Sequence, residues 1–159
     1  MDRDADERWM RKALDACRQG IEGGGAPFGA VVVRGEELIA SAYNTVNDEH
    51  DASAHAEVNA LRIAGAKLGT ARFGEDCVLY TSCEPCPMCF AMSVFSRIGR
   101  IVWSASVEDA EAAGFTTLQV SNDTMIGATG HVVPVTKGVL REDGVALFKL
   151  WQRRSETSS

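Results

Sequence analysis

The chain has 159 residues, 45% of them apolar, and a formal net charge of −6 at pH 7. This length fits one compact domain, which we expect over residues 1–154, followed by a loose tail at 155–159. The negative net charge disfavours tight binding to the phosphate backbone of a nucleic acid. No run in the sequence approaches the roughly 18 consecutive apolar residues that are needed to span a bilayer. Five cysteines, three of them clustered between Cys83 and Cys89, fit a reducing compartment, and we expect a cytoplasmic protein without disulfides.

The first half of the chain predicts two helices with a β-hairpin between them. Apolar residues at helical spacing predict a helix at 6–18, and runs of β-branched and apolar residues predict strands at 29–33 and 38–43. Good helix formers predict a second helix at 55–64. Gly20 and Gly65 are expected to end the two helices.

The second half continues with alternating strands and helices. The expected elements are a strand at 77–81, a helix from Pro87 to about Arg97, a strand at 101–103, and helices at 110–113 and 145–153. Residues 116–137 give no clear prediction. Alternation after a hairpin implies parallel crossovers, so the chain is expected to be an α/β protein with a mixed central sheet between layers of helices.

Two short segments carry residues that suit metal chemistry. They are His55-Ala56-Glu57 and Pro85-Cys86-Pro87-Met88-Cys89, which match the His-x-Glu and Pro-Cys-x-x-Cys signature of zinc deaminases. Each segment alone is weak evidence for a catalytic zinc site, because a single Cys-x-x-Cys, for example, also occurs in redox and structural sites. The two together, each at a predicted helix start, indicate a catalytic zinc site.

The roles of these residues follow from zinc chemistry. A catalytic zinc has three protein ligands and a water, and His55, Cys86 and Cys89 supply the three. The start of a helix stabilises the thiolates that bind the metal. We expect one Zn²⁺ per chain and a catalytic water, with Glu57 carrying the proton from that water to the substrate and to the departing ammonia.

Other interpretations of the motif remain open. A closed structural zinc site needs a fourth ligand, for which Cys83 is the nearest candidate, although this residue is better explained as the buried end of a strand. A thioredoxin-like redox site does not require the upstream His-x-Glu. The remaining histidines, His50 and His131, are expected to take no part.

The sequence resembles the cytidine deaminase-like superfamily, and within it the bacterial guanine deaminases. The segments that carry the resemblance are 27–33, Asn44, 54–58, 79–89 and 109–115. It implies a three-layer α/β/α cytidine deaminase-like fold and a homodimer. An apolar stripe on the terminal helix (Val145, Leu147, Phe148, Leu150 and Trp151) also favours a dimer, unless that helix docks onto its own core.

The resemblance also implies how a substrate would be held. The side-chain amide of Asn44 would donate to the substrate ring, and the backbone around Ala54, Ser82 and Cys83 would hold the reacting edge. Two aromatic residues would line the pocket, namely Phe28 and Phe95. Simple roles remain open for three of these residues: Asn44 as a turn residue, and the two phenylalanines as core residues.

The sequence departs from the guanine deaminases at two places. It lacks the terminal aromatic residue with which those enzymes close the site. Where they carry an acid after Gly-Phe, this chain has Thr116-Thr117. Thr117 can hydrogen-bond to a substrate but offers no negative charge, so we expect guanine to be a poorer substrate here than the motif suggests, unless Glu111, Asp109 or Asp123 takes over the role of the acid.

Four functions therefore remain in view. The leading one is deamination of a free nucleobase, which is guanine or a related aminated purine or triazine. The resemblance of residues 96–102 to tRNA adenosine deaminases supports a second, which the acidic charge disfavours. The others are deamination of cytosine or another pyrimidine, and a non-enzymatic structural zinc module.

Overall fold

A computed structural model of the chain describes residues 2–115, 118 and 120–158. Helices and strands alternate along most of it. The elements in chain order are α1 (Arg3–Glu22), β1 (Gly29–Arg34), β2 (Glu37–Tyr43), α2 (Val46–Glu49), α3 (Ala56–Leu68), β3 (Gly74–Cys83), α4 (Pro87–Phe95), β4 (Ile98–Ala105), α5 (Val107–Ala112), α6 (Asn122–Thr129), β5 (Val135–Thr136) and α7 (Arg141–Thr157).

The central sheet is mixed, with the strand order β2-β1-β3-β4-β5. Strand β1 is antiparallel to both β2 and β3, whereas β3, β4 and β5 run parallel. The parallel pairs arise because a helix returns the chain to the same end of the sheet before each new strand. The predicted mixed sheet, with parallel crossovers after the opening hairpin, is confirmed.

Helices cover both faces of this sheet. Apolar residues of α1 and α7 form one core with β1, β3 and β4, while those of α3 and α4 form a second core on the opposite face. The predicted α/β/α architecture is therefore confirmed. Among the described helices, none combines the length and the apolar character that a membrane crossing requires.

The glycines at the ends of the first two predicted helices have other roles. Gly20 lies inside α1, where a Cβ atom would approach the Cβ of Tyr43 to 2.9 Å, so it permits close packing against β2. Gly65 is likewise inside α3, which ends instead at Gly69, a residue with a left-handed φ of 67°. These expected stops were wrong because close packing and helix termination both select glycine.

The end of the chain also differs from expectation. Helix α7 continues to Thr157, so most of the predicted loose tail at 155–159 is helical. The apolar stripe on α7 docks onto the chain's own core, where Leu147 and Phe148 are each only 3% exposed. The stripe therefore gives no argument for a dimer, because its own chain already covers it.

One buried ion pair ties α1 to the sheet. The carboxylate of Asp6 accepts hydrogen bonds from Arg100 at 2.6 and 2.8 Å and from the hydroxyl of Tyr80 at 2.8 Å. Burial alone would raise the pKa of Asp6, but the hydrogen bonds from Arg100 and Tyr80 hold this pKa below its usual value.

Candidate active site

The two motif segments meet at the starts of two neighbouring helices. His55 is the N-cap of α3, and Cys86 is the N-cap of α4. Pro87 occupies the first helical position of α4, where its missing N–H costs no hydrogen bond. Because free N–H groups and the positive end of the helix dipole converge there, the position favours thiolates and other anions.

The three candidate ligands are close enough to share one metal ion. The Nδ1 atom of His55 lies 3.7 Å from the Sγ of Cys86 and 3.5 Å from the Sγ of Cys89. All three ligand atoms lie within 4.8 Å of one another. Tetrahedral zinc, with Zn–N and Zn–S bonds of about 2.1 and 2.3 Å, would separate N and S by about 3.6 Å. The arrangement therefore fits zinc.

The two thiols differ strongly in acidity when no metal charge acts on them. A hydrogen bond from Cys89, together with a further one from His55, lowers the pKa of Cys86 to about 4. The same contact with Cys86, together with burial, raises the pKa of Cys89. Of the two thiols, Cys86 is therefore the more easily ionised, which suits a metal ligand.

Glu57 stands in the first turn of α3, next to the ligands. It is only 5% exposed, although it lines the same cleft as His55 and Cys86. Burial raises the pKa of its carboxyl group, and the nearby charge of Cys86 raises it further. A carboxylic acid with a raised pKa is suited to accept and return a proton near neutral pH.

A cleft of about 550 Å³ opens beside these residues. This volume falls in the range of about 300–1,000 Å³ that is typical of small-molecule sites. Of the residues expected at the substrate, Phe28 and Asn44 line the cleft. The lining residues that sequence reasoning did not assign to the site are Ala26, Val46, Asn47, Ala52, Met88, Gly114, Phe115 and Leu118.

One wall of the cleft is aromatic. Phe28 and Phe115 meet edge to face, with ring centroids 5.1 Å apart. Behind them, Trp151 of α7 packs at 4.7 Å from Phe115, and Gln152 donates a hydrogen bond to the carbonyl of Ala113. The terminal helix therefore supports the wall from behind, within its own chain.

Asn44 presents an amide at the cleft. Its Oδ1 accepts the backbone N–H of Val46 at 3.2 Å. Within the described part of the chain, its Nδ2 group makes no hydrogen bond, so two N–H donors remain for a ligand. The arrangement suits recognition of a ring nitrogen or carbonyl oxygen.

Several expected site residues lie away from the cleft. Ala54, Ser82 and Cys83 are buried and are not among the residues that line it, and the backbone N–H and carbonyl of Ala54 are hydrogen-bonded to Asp51 and Thr45. Phe95 lies at the end of α4, where 78% of it is exposed, and it does not line the cleft. Thr117 is outside the residues that the structure describes.

Glu84, within the cysteine motif, holds the surroundings of the site together. Its buried carboxylate accepts the backbone N–H groups of Val107 and Asn122, the first residues of α5 and α6. Asn122 in turn donates its side-chain amide to the carbonyl of Pro85. Sequence reasoning identified Glu84 only as part of a motif, and Asn122 lay in the segment without a clear prediction.

Comparison with known proteins defines the class to which this fold and site belong. The family described as the cytidine and deoxycytidylate deaminase zinc-binding region matches residues 3–105. The chain belongs to this family, and it is a zinc-dependent hydrolytic deaminase.

Its relatives include enzymes with two different substrates. Guanine deaminase of Bacillus subtilis is 35% identical over 92% of this chain and 93% of its own length. The tRNA-specific adenosine deaminase of the same organism is 35% identical over 87% of this chain and 83% of its own length. Among solved structures, guanine deaminase from Nitrosomonas europaea superimposes with a TM-score of 0.83, at 34% identity over 92% of this chain and 84% of that one.

Proposed function

We propose that the protein deaminates a free nucleobase, which is guanine or a related aminated purine or triazine, and releases ammonia. The observation that carries this proposal is the position of Glu57, a buried carboxyl group beside three candidate metal ligands in a cleft with an aromatic wall. The guanine deaminase relatives, and a similar structure that holds 2,6-diaminopurine, support a purine-type base.

His55, Cys86 and Cys89 hold one Zn²⁺ per chain in this proposal. When bound, zinc lowers the pKa of a water molecule to about 7 and so supplies a nucleophile at neutral pH. Glu57 would accept one proton from the attacking water and deliver it to the ring nitrogen next to the amine-bearing carbon, as a bond forms between that carbon and the water oxygen. Glu57 would then pass the remaining proton of that oxygen to the amino group, so that the C–N bond breaks, ammonia leaves and a C=O group remains.

The rest of the cleft holds the ring. Asn44 donates its amide N–H groups to polar atoms of the base, and Phe28 and Phe115 provide apolar contact with its faces. The backbone near Ala54, Ser82 and Cys83 remains a predicted contact for the reacting edge. Five cysteines without disulfides suit a reducing compartment, so we place the enzyme in the cytoplasm.

A homodimer is also part of the proposal. Its support is the guanine deaminase resemblance and an apolar stripe on α4, where Met88, Met92 and Phe95 follow helical spacing. Met88 and Phe95 are 37% and 78% exposed. Since Met88 also lines the cleft, a partner on this stripe would lie beside the site.

Deamination of adenosine in tRNA is the second candidate, favoured by the similarity to tRNA-specific adenosine deaminases. The net charge of −6 disfavours it, because RNA binding relies on clustered basic residues.

An ammonia-release screen separates the two candidates. It compares guanine, adenine, isoguanine, cytosine, aminotriazines, the nucleosides and tRNA. Turnover of a free purine or triazine supports the proposal. Turnover of tRNA alone, with strong salt dependence, supports the alternative.

A further inference from the structure

Asn59 connects three parts of the candidate site without lining the cleft. It lies on α3, two residues after Glu57, and its side chain is half-buried. It faces a separate surface depression that it shares with Tyr43 and Thr45. Any influence of Asn59 on a bound base must therefore act through other residues.

The side-chain amide of Asn59 is bonded to both ends of one loop. Its Nδ2 lies 2.8 Å from the Oγ1 of Thr45, 3.0 Å from the carbonyl of Tyr43 and 3.4 Å from the carbonyl of Ala54. An amide nitrogen has two N–H bonds, so the two shorter contacts use them and the third is shared. The loop ends are also joined directly, because Thr45 donates its N–H to Ala54.

The bonded residues are the immediate neighbours of site residues. Tyr43 and Thr45 flank Asn44, and Ala54 directly precedes His55. Residues 44–54 also include three further lining residues of the cleft, Val46, Asn47 and Ala52. One side chain on the helix that carries Glu57 thus contacts the neighbours of both Asn44, which lines the cleft, and His55, a candidate metal ligand.

We propose that Asn59 is a positioning residue that sets the separation between the base-binding loop and the metal centre. The proposal rests on the proposed function, since it takes Asn44 to bind the substrate ring. Without the clamp, the loop keeps its backbone bonds but samples more positions, so Asn44 meets the base less often in the correct orientation. The expected loss is therefore in binding of the base rather than in the chemical step.

The test uses variants that remove the donor or one acceptor with little change of shape. In Asn59→Leu the amide donors are absent, and Thr45→Val replaces only the accepting hydroxyl. Thr45→Ser retains that hydroxyl and is the conservative control. Lys67→Ala is a matched control on the same helix, because Lys67 also donates to a backbone carbonyl, that of Leu38, away from the loop.

Steady-state kinetics with the best base of the ammonia screen give the first readout. We expect Asn59→Leu and Thr45→Val to raise KM by about tenfold while kcat stays within about threefold and zinc content is unchanged. The double variant should be no worse than Asn59→Leu alone, because both changes break the same contact. An unchanged KM in zinc-loaded Asn59→Leu, or a KM effect of Lys67→Ala equal to it, would overturn the proposal.

Amide hydrogen exchange gives a second readout that needs no substrate. The Thr45 and Ala54 amides should exchange faster in Asn59→Leu than in the natural protein. If the two proteins differ in melting temperature, the exchange rates are first corrected for the difference in overall stability. Unchanged exchange at these amides contradicts the clamp. If the natural protein deaminates none of the bases but the loop still exchanges faster in the variant, the proposed function fails while the clamp stands.

Discussion

The Nδ1 atom of His55 lies 3.5 Å from the Sγ atom of Cys89, although 34 residues separate them in the chain. The two side chains meet because α3 and α4 pack on the same face of the sheet and both begin at the same edge. This N–S separation is close to that between two ligands of a tetrahedral zinc ion, so two helix starts that are distant in the chain form a site that could hold a metal.

The first prediction is that Cys89→Ala loses zinc. Removing one of three ligands should weaken zinc binding by more than about a hundredfold, since loss of an outer-shell partner alone costs up to about that much. Metal analysis after dialysis against a chelator measures the effect. Cys77→Ala is the control, because Cys77 is also buried but belongs to β3 and lies outside the ligand cluster of His55, Cys86 and Cys89. Full zinc content in Cys89→Ala would show that the ligand set is wrong.

The second prediction concerns the choice of base at Thr117. A charge-assisted hydrogen bond contributes about 1.5–3 kcal/mol, so Thr117→Asp should raise kcat/KM for guanine about tenfold to a hundredfold relative to other bases. Thr116→Asp serves as the neighbouring control. If guanine is already the best base by a wide margin, and Thr117→Asp changes nothing, the departure at this position has no bearing on specificity.

The third prediction is that Asp6 contributes to acid stability. Its pKa is lowered in the fold, so its contribution is complete above the unfolded value of about 3.9 and is lost as the pH falls through the folded value. Asp6→Asn should therefore cost about 3 kcal/mol of unfolding free energy at neutral pH, and the cost should shrink in acid.

Urea unfolding between pH 3 and pH 7 measures this difference. Asp123→Asn is the matched control, since the pair of Asp123 and Lys137 is exposed and should contribute little. Equal stability losses for Asp6→Asn at every pH would contradict the expected ionisation of Asp6.

The fourth prediction is that Phe95 belongs to a dimer interface. The natural chain should sediment at about twice its 17.1 kDa mass, and Phe95→Asp should shift it towards the monomer because a charge would be buried against the partner. Val132→Asp is the control, as Val132 is 79% exposed but lies far along the chain from the α4 stripe. A monomeric natural protein would refute the dimer.

Local patterns predicted the layers of the fold and the candidate ligands. The helix start at Pro87 and the two short motifs are encoded within a few neighbouring residues, so they can be recognised without tertiary structure. Strand β5 has only two residues, too few to show alternation, and α6 includes Gly127 within one short helix. These elements could not be recognised from pattern alone.

Contacts between distant segments were beyond sequence reasoning. Glu84 bonds only to backbone groups in the contacts described above, and Asn59 bonds to two backbone carbonyls besides the hydroxyl of Thr45, and backbone partners leave no trace in residue type. The expectation that Phe95 lines the pocket came from the resemblance alone, and the last turn of α4 turns it to the surface instead.

The most direct test of the account is ammonia release by zinc-loaded Glu57→Gln beside the natural protein, on the best base of the screen. The substituted amide keeps the shape and hydrogen bonding of the side chain but cannot carry a proton, so turnover should fall by about a hundredfold or more with zinc content and melting temperature preserved. Glu75→Gln, an exposed carboxylate on β3 that lies outside both the cleft and residues 44–54, should leave the rate unchanged. Near-natural turnover in zinc-loaded Glu57→Gln would contradict the account.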